Sequence, residues 1–157
     1  MTGWRLGYIA APVEIAKACE KLQGQFTSAT NSITQKAAVT ALTTDLKPSF
    51  LMVEEFSRRR EKTMELVGQI PGIKTFKPEG AFYIFPDISS YFGKSDGENK
   101  IKNSNDLCMY LLNTAHVSSV MGDAFGEPKC IRFSFANSMP NIEKAWKRVA
   151  DALAKLH

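Results

Sequence analysis

Histidine and cysteine are the scarce residues of this chain. Two histidines, His116 and His157, and three cysteines, Cys19, Cys108 and Cys130, are all that 157 residues supply. With one histidine at the very end, where it is expected to fray, no Ser-His-Asp or Cys-His arrangement for nucleophilic catalysis is evident. The cysteines are odd in number and far apart, which fits neither zinc-ligand spacing nor a closed disulfide set. A reducing, cytoplasmic compartment is therefore the simplest expectation. No apolar run approaches the roughly 18 residues that mark a membrane-spanning helix. The apolar run RLGYIAA near the N-terminus is too short for a signal peptide and is ended by Pro12 and Glu14. Walker and dinucleotide glycine fingerprints are missing, as are internal repeats and low-complexity tracts. Charge of one sign is missing too, since 20 Lys and Arg stand against 16 Asp and Glu for a net +4. The one tight basic cluster, Arg58-Arg59-Arg60, comes with no nucleic-acid-reading motif and is read as a solvated helix face.

What is present describes an ordinary globular protein. Hydrophobic residues make up 44% and charged residues 23%, which places the chain outside the disordered class. Its length suits one domain, or a small domain with a piece of a second.

Residues 5–11 read as a short strand ending at Pro12, which suits the first turn of a helix over about 13–24. After the polar stretch QFTSATN, Ser32 and Gln35 form a Ser-x-x-Gln capping box for a second helix. Pro48 opens a longer helix that runs to about Ile70 and is stopped by Pro71-Gly72. Two β segments follow, 73–77 and 81–86, with Pro78-Glu79-Gly80 as the turn between them. Residues 93–103 are polar and are expected to form an exposed loop. A helix over 104–115 precedes strands at 117–121 and 130–136. In the last helix Ile142, Ala145, Trp146, Val149, Ala152, Leu153 and Leu156 share one face.

The candidate residues follow from this layout. In CIRFSFA, alternation puts Ile131, Phe133 and Phe135 on one face and Arg132, Ser134 and Ala136 on the other. A guanidinium among apolar neighbours needs a partner. That partner is either the carboxylate of a ligand, which its planar fork fits bidentately, or an Asp or Glu of the chain. Arg5, set between Gly3 and Gly7, is either a surface arginine or an anion site that the glycines let a ligand approach. The loop Met121-Gly122-Asp123-Ala124-Phe125-Gly126 is either a plain connection or the lining of a site. The run Phe82-Tyr83-Ile84-Phe85 is read as core, as are Cys108 and Cys130.

Four segments, in order and spread over nearly the whole chain, carry a resemblance. MTGWRLGY, QFTSATNSITQKAA, PEGAFYIFPD and VMGDAFGEPKCIRFSFANS resemble segments of the aspartate-aminotransferase family of fold type I enzymes, which use pyridoxal 5'-phosphate (PLP). The resemblance implies an α/β chain with an α+β small domain, namely the carboxy-terminal part of a PLP-dependent transferase fold. Residues 1–47 would be the remnant of the large PLP-binding domain, a strand plus two helices, and residues 48–157 the small domain. It further implies that Arg5 binds the PLP phosphate and that Arg132 binds the substrate α-carboxylate. Met121-Gly122 and Phe125-Gly126 would line the substrate entrance, and the Thr27-Ser28 loop would lie near the interface of a homodimer. Met121 departs from the family, which usually has proline there. The Schiff-base lysine would fall four positions before Met1, so the chain holds no catalytic lysine and is expected to be inactive alone. The activity implied is transfer of an amino group from an amino acid to a 2-oxo acid, with no nucleic acid, membrane or metal involved. A ligand-sensing or dimerisation module of the same fold, or another PLP reaction on the same scaffold, are the alternatives. Losing the rest of a large domain would leave apolar surface exposed on the first two helices and favour association.

Overall fold

The computed structural model describes Met1 and residues 3–157; of the segment MTGWRLGY, Thr2 lies outside the described residues. The chain divides into two compact units, Met1–Pro48 and Ser49–His157.

The first unit begins with a tight turn. The amides of Trp4 and Leu6 donate to the Met1 carbonyl at 3.2 and 3.4 Å, and Arg5 takes the left-handed conformation at φ 55. The strand expected over residues 5–11 does not form. A strand is held by a neighbour's backbone, and no described residue pairs with this segment. Helix α1 (Val13–Phe26) follows Pro12 as expected, and α2 (Ser32–Thr43) comes next. Its cap is Asn31, one residue earlier than the predicted Ser32. The Asn31 Oδ1 accepts from the amides of Ile33 at 2.9 Å and Thr34 at 3.3 Å, while the Gln35 amide nitrogen donates to the Thr30 carbonyl at 2.7 Å. Asparagine caps at least as well as serine, so the capping box loses to its neighbour. As expected, α1 buries none of its residues, and Leu22, Phe26, Ile33 and Leu42 are all exposed.

Helix α3 (Lys47–Gly68) runs from the first unit into the second. Lys47 donates its amide to Asp45 Oδ1 at 2.9 Å, and Pro48 sits in the first turn. Each arginine of the cluster on α3 has a local partner, but only Arg58 is exposed as a solvated face would require, and the buried Nε of Arg60 is left without a hydrogen bond. Arg58 and Arg59 each pair with Glu55 at 2.8 Å, and Arg60 reaches Glu61 at 3.2 Å and the Pro78 carbonyl at 3.1 Å. Ion pairs on a solvent-facing helix surface such as these contribute little to stability. Gly72, at φ 83, ends the turn beyond α3. Ser90 clips onto the Gly72 carbonyl at 2.6 Å, and the Tyr91 hydroxyl donates to the Pro71 carbonyl.

Strand β1 (Tyr83–Ile84) does not form a hairpin with 73–77. Only Lys74 and Asp87 bridge across that turn, and β1 pairs instead with β3 (Ile131–Ser134). Helix α4 (Ser104–Tyr110) passes into a π-helical turn over Leu111–Ala115, closed by His116 in the left-handed conformation at φ 55. The predicted single helix over 104–115 therefore changes its winding. Strand β2 (Val120–Met121) pairs antiparallel with the other edge of β3, giving the order β1-β3-β2. Helix α5 (Met139–Leu153) lays Ile142, Trp146, Val149, Ala152 and Leu153 onto the core. Trp146 and Phe133 meet at 4.8 Å between ring centroids, and Tyr110 on α4 donates to the Ala152 carbonyl at 3.0 Å.

The polar tract 93–103 is not simply an exposed loop. Gly93 and Lys94 exchange backbone hydrogen bonds with Ile101 at 2.7 and 2.9 Å, and Ile101 is fully buried. His157 does not fray either, since its N–H and carbonyl pair with Ser95 at 3.0 and 3.1 Å.

Candidate functional site

In the second unit, chemistry gathers on the polar face of β3. Ile131 and Phe133 go into the core while Arg132 and Ser134 face away from it. This is the alternation expected of a strand with one buried face. Arg132 lies on the central strand, and Val120 is its partner on β2.

Two rings offer their faces to the Arg132 guanidinium. Its central carbon lies 4.3 Å from the Tyr83 ring centroid and 4.4 Å from that of Phe125. Tyr83 stands on β1, opposite Ser134 in the register. Phe125 ends a short 3₁₀ turn, Gly122–Phe125, that leaves β2. It also meets Phe85 edge-on at 5.8 Å. Among the described residues no carboxylate pairs with Arg132, so the structural ion pair left open by the sequence is not formed. The rings stabilise the cation by about 0.5–2 kcal/mol each and leave its N–H groups available to an outside acceptor.

The loop that carries Phe125 is fixed at several points. The Gly122 amide donates to the Cys130 carbonyl at 2.9 Å, and the Gly122 carbonyl accepts from the Glu127 amide at 3.1 Å. Gly126 closes the turn at φ 79. The buried Ser104 hydroxyl donates to Asp123 Oδ2 at 2.6 Å, tying the loop to the start of α4. Nearby, the Ser89 hydroxyl and amide hold the Asp87 carboxyl below its ordinary range. Burial pushes the Cys130 thiol up, with the charges of Asp87 and Glu127 adding to it.

The sequence picked out Arg132, Gly122 and Phe125, and the fold brings them together. It missed Tyr83, which the aromatic run had assigned to the core. Only Ile84 of that run is fully buried. The available signal was strand alternation, since Tyr83 and Phe85 must oppose Ile84. His116 serves as a helix terminator, and no cluster of three or more His, Cys, Asp or Glu among the described residues could hold a metal.

The other predicted cation, Arg5, belongs to the first unit. It is exposed at the apex of the turn that starts the chain. Nothing lies within 4 Å of a side chain built at Gly3 or Gly7, so the chain's own packing does not demand glycine there. The Thr27-Ser28 pair ends α1, with Thr27 bonded back to the Gln23 carbonyl at 3.0 Å and Ser28 left-handed at φ 67.

The sequence profile of the family described as aminotransferase class I and II matches residues 1–149. The chain belongs to this family. A bifunctional aspartate aminotransferase and glutamate/aspartate-prephenate aminotransferase of Petunia hybrida is 48% identical over 160 residues, covering 99% of this chain and 33% of the relative. An aspartate/prephenate aminotransferase of Nitrosomonas europaea is 40% identical, covering 98% of the chain and 39% of the relative. Among solved structures, the aspartate aminotransferase of Rhizobium meliloti superposes with a TM-score of 0.93 at 39% identity, over all of this chain and 40% of that one. This chain thus spans between a third and two-fifths of the length of these relatives. The family in general is PLP-dependent. What this chain offers such a cofactor is cationic, namely an exposed arginine in a turn with open glycines on either side, which suits the phosphate end of PLP.

Proposed function

We propose that the chain supplies the anion-binding part of a PLP-dependent aminotransferase acting on aspartate or a related amino acid and a 2-oxo acid. Arg132 would take the substrate α-carboxylate and Arg5 the cofactor phosphate. The observation that carries this is the Arg132 guanidinium held against Tyr83 and Phe125 with no carboxylate of its own among the described residues. A guanidinium stacked on two rings, with no carboxylate partner among the described residues, is suited to accept one from outside.

PLP, when bound, supplies the electron sink for chemistry at the substrate α-carbon. The chain's share is orientation. Arg132 is always charged and presents a planar fork, so a carboxylate bound to it is fixed in direction as well as position. Phe125 and Tyr83 exclude water from the guanidinium faces, and Met121-Gly122 and Phe125-Gly126 border the approach. Fixing the carboxylate in direction is an orienting contribution to that chemistry, made before any bond changes. The order of the matching segments supports the carboxy-terminal portion of such an enzyme, with residues 1–47 as part of its large domain and the Thr27-Ser28 loop near the interface of a cytoplasmic homodimer. The lysine that carries the cofactor would lie outside residues 1–157, which leaves the isolated chain without turnover.

The test is a chimera in which these 157 residues replace the matching part of the Rhizobium meliloti enzyme. It is expected to transaminate aspartate with PLP, while the 157-residue chain alone does not. In the chimera Arg132→Gln removes two charge-assisted hydrogen bonds worth about 1.5–3 kcal/mol each. A fall in kcat/KM of at least about 100-fold is expected. An active chimera indifferent to Arg132→Gln would remove the proposal's basis.

A further inference from the structure

Resting on the reading of Arg132 as a carboxylate site, we infer that Tyr83 and Phe125 make it selective for planar anions over tetrahedral ones of equal charge. A guanidinium is flat and donates only in its own plane. Each ring presents a face to it at stacking distance. Tyr83 comes from β1, and Phe125 from the turn beyond β2, on the far side of β3 from β1. Rings arriving from the two sides of β3 thus crowd the fork from two directions, and its N–H edge is what an incoming anion meets.

A carboxylate is flat as well. Both its oxygens lie in the guanidinium plane and accept parallel hydrogen bonds there. A sulfonate or phosphonate can place two oxygens in that plane, but its third oxygen must project out of it. On either side it runs toward an aromatic face, which carries the negative part of the ring quadrupole. The tetrahedral anion therefore meets both steric crowding and electrostatic repulsion, while the carboxylate meets neither. Phe125 is the adjustable half of the pair. It is 47% exposed, so trimming it leaves no closed cavity, whereas Tyr83 is half-buried.

The rings act as positioning and specificity-determining residues, and anion binding reads them without any turnover. The 157-residue chain, ¹⁵N-labelled at arginine, is followed by NMR at the Arg132 side-chain Nε–H, assigned by its loss in Arg132→Gln. Acetate and methanesulfonate are titrated separately, each with a single charge and a single methyl group. Acetate is expected to reach its midpoint at a concentration about tenfold lower than methanesulfonate, in line with two ring contacts. In Phe125→Ala that ratio is expected to fall toward one, and Phe125→Leu serves should the alanine variant lose its dispersed backbone spectrum. Equal midpoints in the wild-type chain overturn the selectivity while leaving Arg132 as an anion site. A ratio unchanged in both folded Phe125 variants removes the rings as its cause. Failure of acetate to move the Arg132 signal instead brings down the carboxylate-site reading on which the inference rests.

Discussion

Adding one methyl group at Gly122 should cost more than adding one at Gly126, although Gly126 is the glycine with the left-handed backbone. Gly126 has φ 79, yet no atom lies within 4 Å of a Cβ built there. Gly126→Ala therefore carries only the conformational penalty of an L-residue in that region, about 1–2 kcal/mol. Gly122 is buried, and a Cβ there overlaps the carbonyl oxygens of Glu127 and Cys130. Both are backbone atoms, so neither can swing away as a side chain would. Overpacking of this kind costs about 1–3 kcal/mol. Relief requires moving the strands of the loop apart, at the expense of the Gly122–Cys130 and Glu127–Gly122 hydrogen bonds, each worth about 1 kcal/mol. The sum for Gly122→Ala is roughly 3–5 kcal/mol. Urea unfolding would be followed by Trp146 fluorescence in a Trp4→Phe background, so that the signal reports the second unit. With a slope near 2 kcal/mol/M, the midpoint should fall by roughly 1.5–2.5 M for Gly122→Ala and by at most about 1 M for Gly126→Ala. If the Gly126 substitution proves the costlier, or both are equal, the close approach at Gly122 does not limit the loop.

Two further outcomes are expected. Asp87 is held below its ordinary carboxyl value by Ser89, so it stabilises the fold above the unfolded-state value of 3.8 and that contribution disappears as pH falls through the lower folded value. Asp87→Asn should thus destabilise the chain at neutral pH and flatten its stability curve below about pH 4; parallel curves for the two proteins in acid unfolding would contradict this. The exposed apolar residues of α1 and α2, led by Phe26 at 82% and Ile33 at 71% exposure, should drive dimers or larger species. Sedimentation velocity at high concentration, repeated with Phe26→Glu and Ile33→Glu, should show the association and its reduction, and a monomer in the unsubstituted chain would refute it.

Elements whose evidence is local were legible in the sequence. The stripe from Ile142 to Leu156 repeats at helical spacing within one segment, and α5 forms over all of it but Leu156, which is buried just beyond the helix end. The facing of Arg132 follows from alternation inside β3 alone. Pairing was less legible, because it depends on partners elsewhere in the chain. Residues 81–86 look like one arm of a hairpin with 73–77, yet Ile84 finds Phe133 instead. Residues 5–11 have strand composition but no partner among the described residues. Ile101 was hidden for a different reason, since one apolar residue in a polar tract creates no period although its burial anchors that tract. In the site, the arginine and the loop were readable from motif and facing. The Tyr83 contact was not, because a stacked pair is set by register between strands.

The position of β3 has a consequence for how the protein comes into being. It is the last strand in sequence and the middle one in space. While a nascent chain has yet to reach Ile131, β1 and β2 are two-residue segments with no strand between them, and neither ring has a cation to face. Joining β1 to β3 also closes a long stretch of chain, the slow kind of step in folding. The sheet and the ring contacts of Arg132 are then completed in one event, so an incompletely synthesised or locally opened chain should lack both.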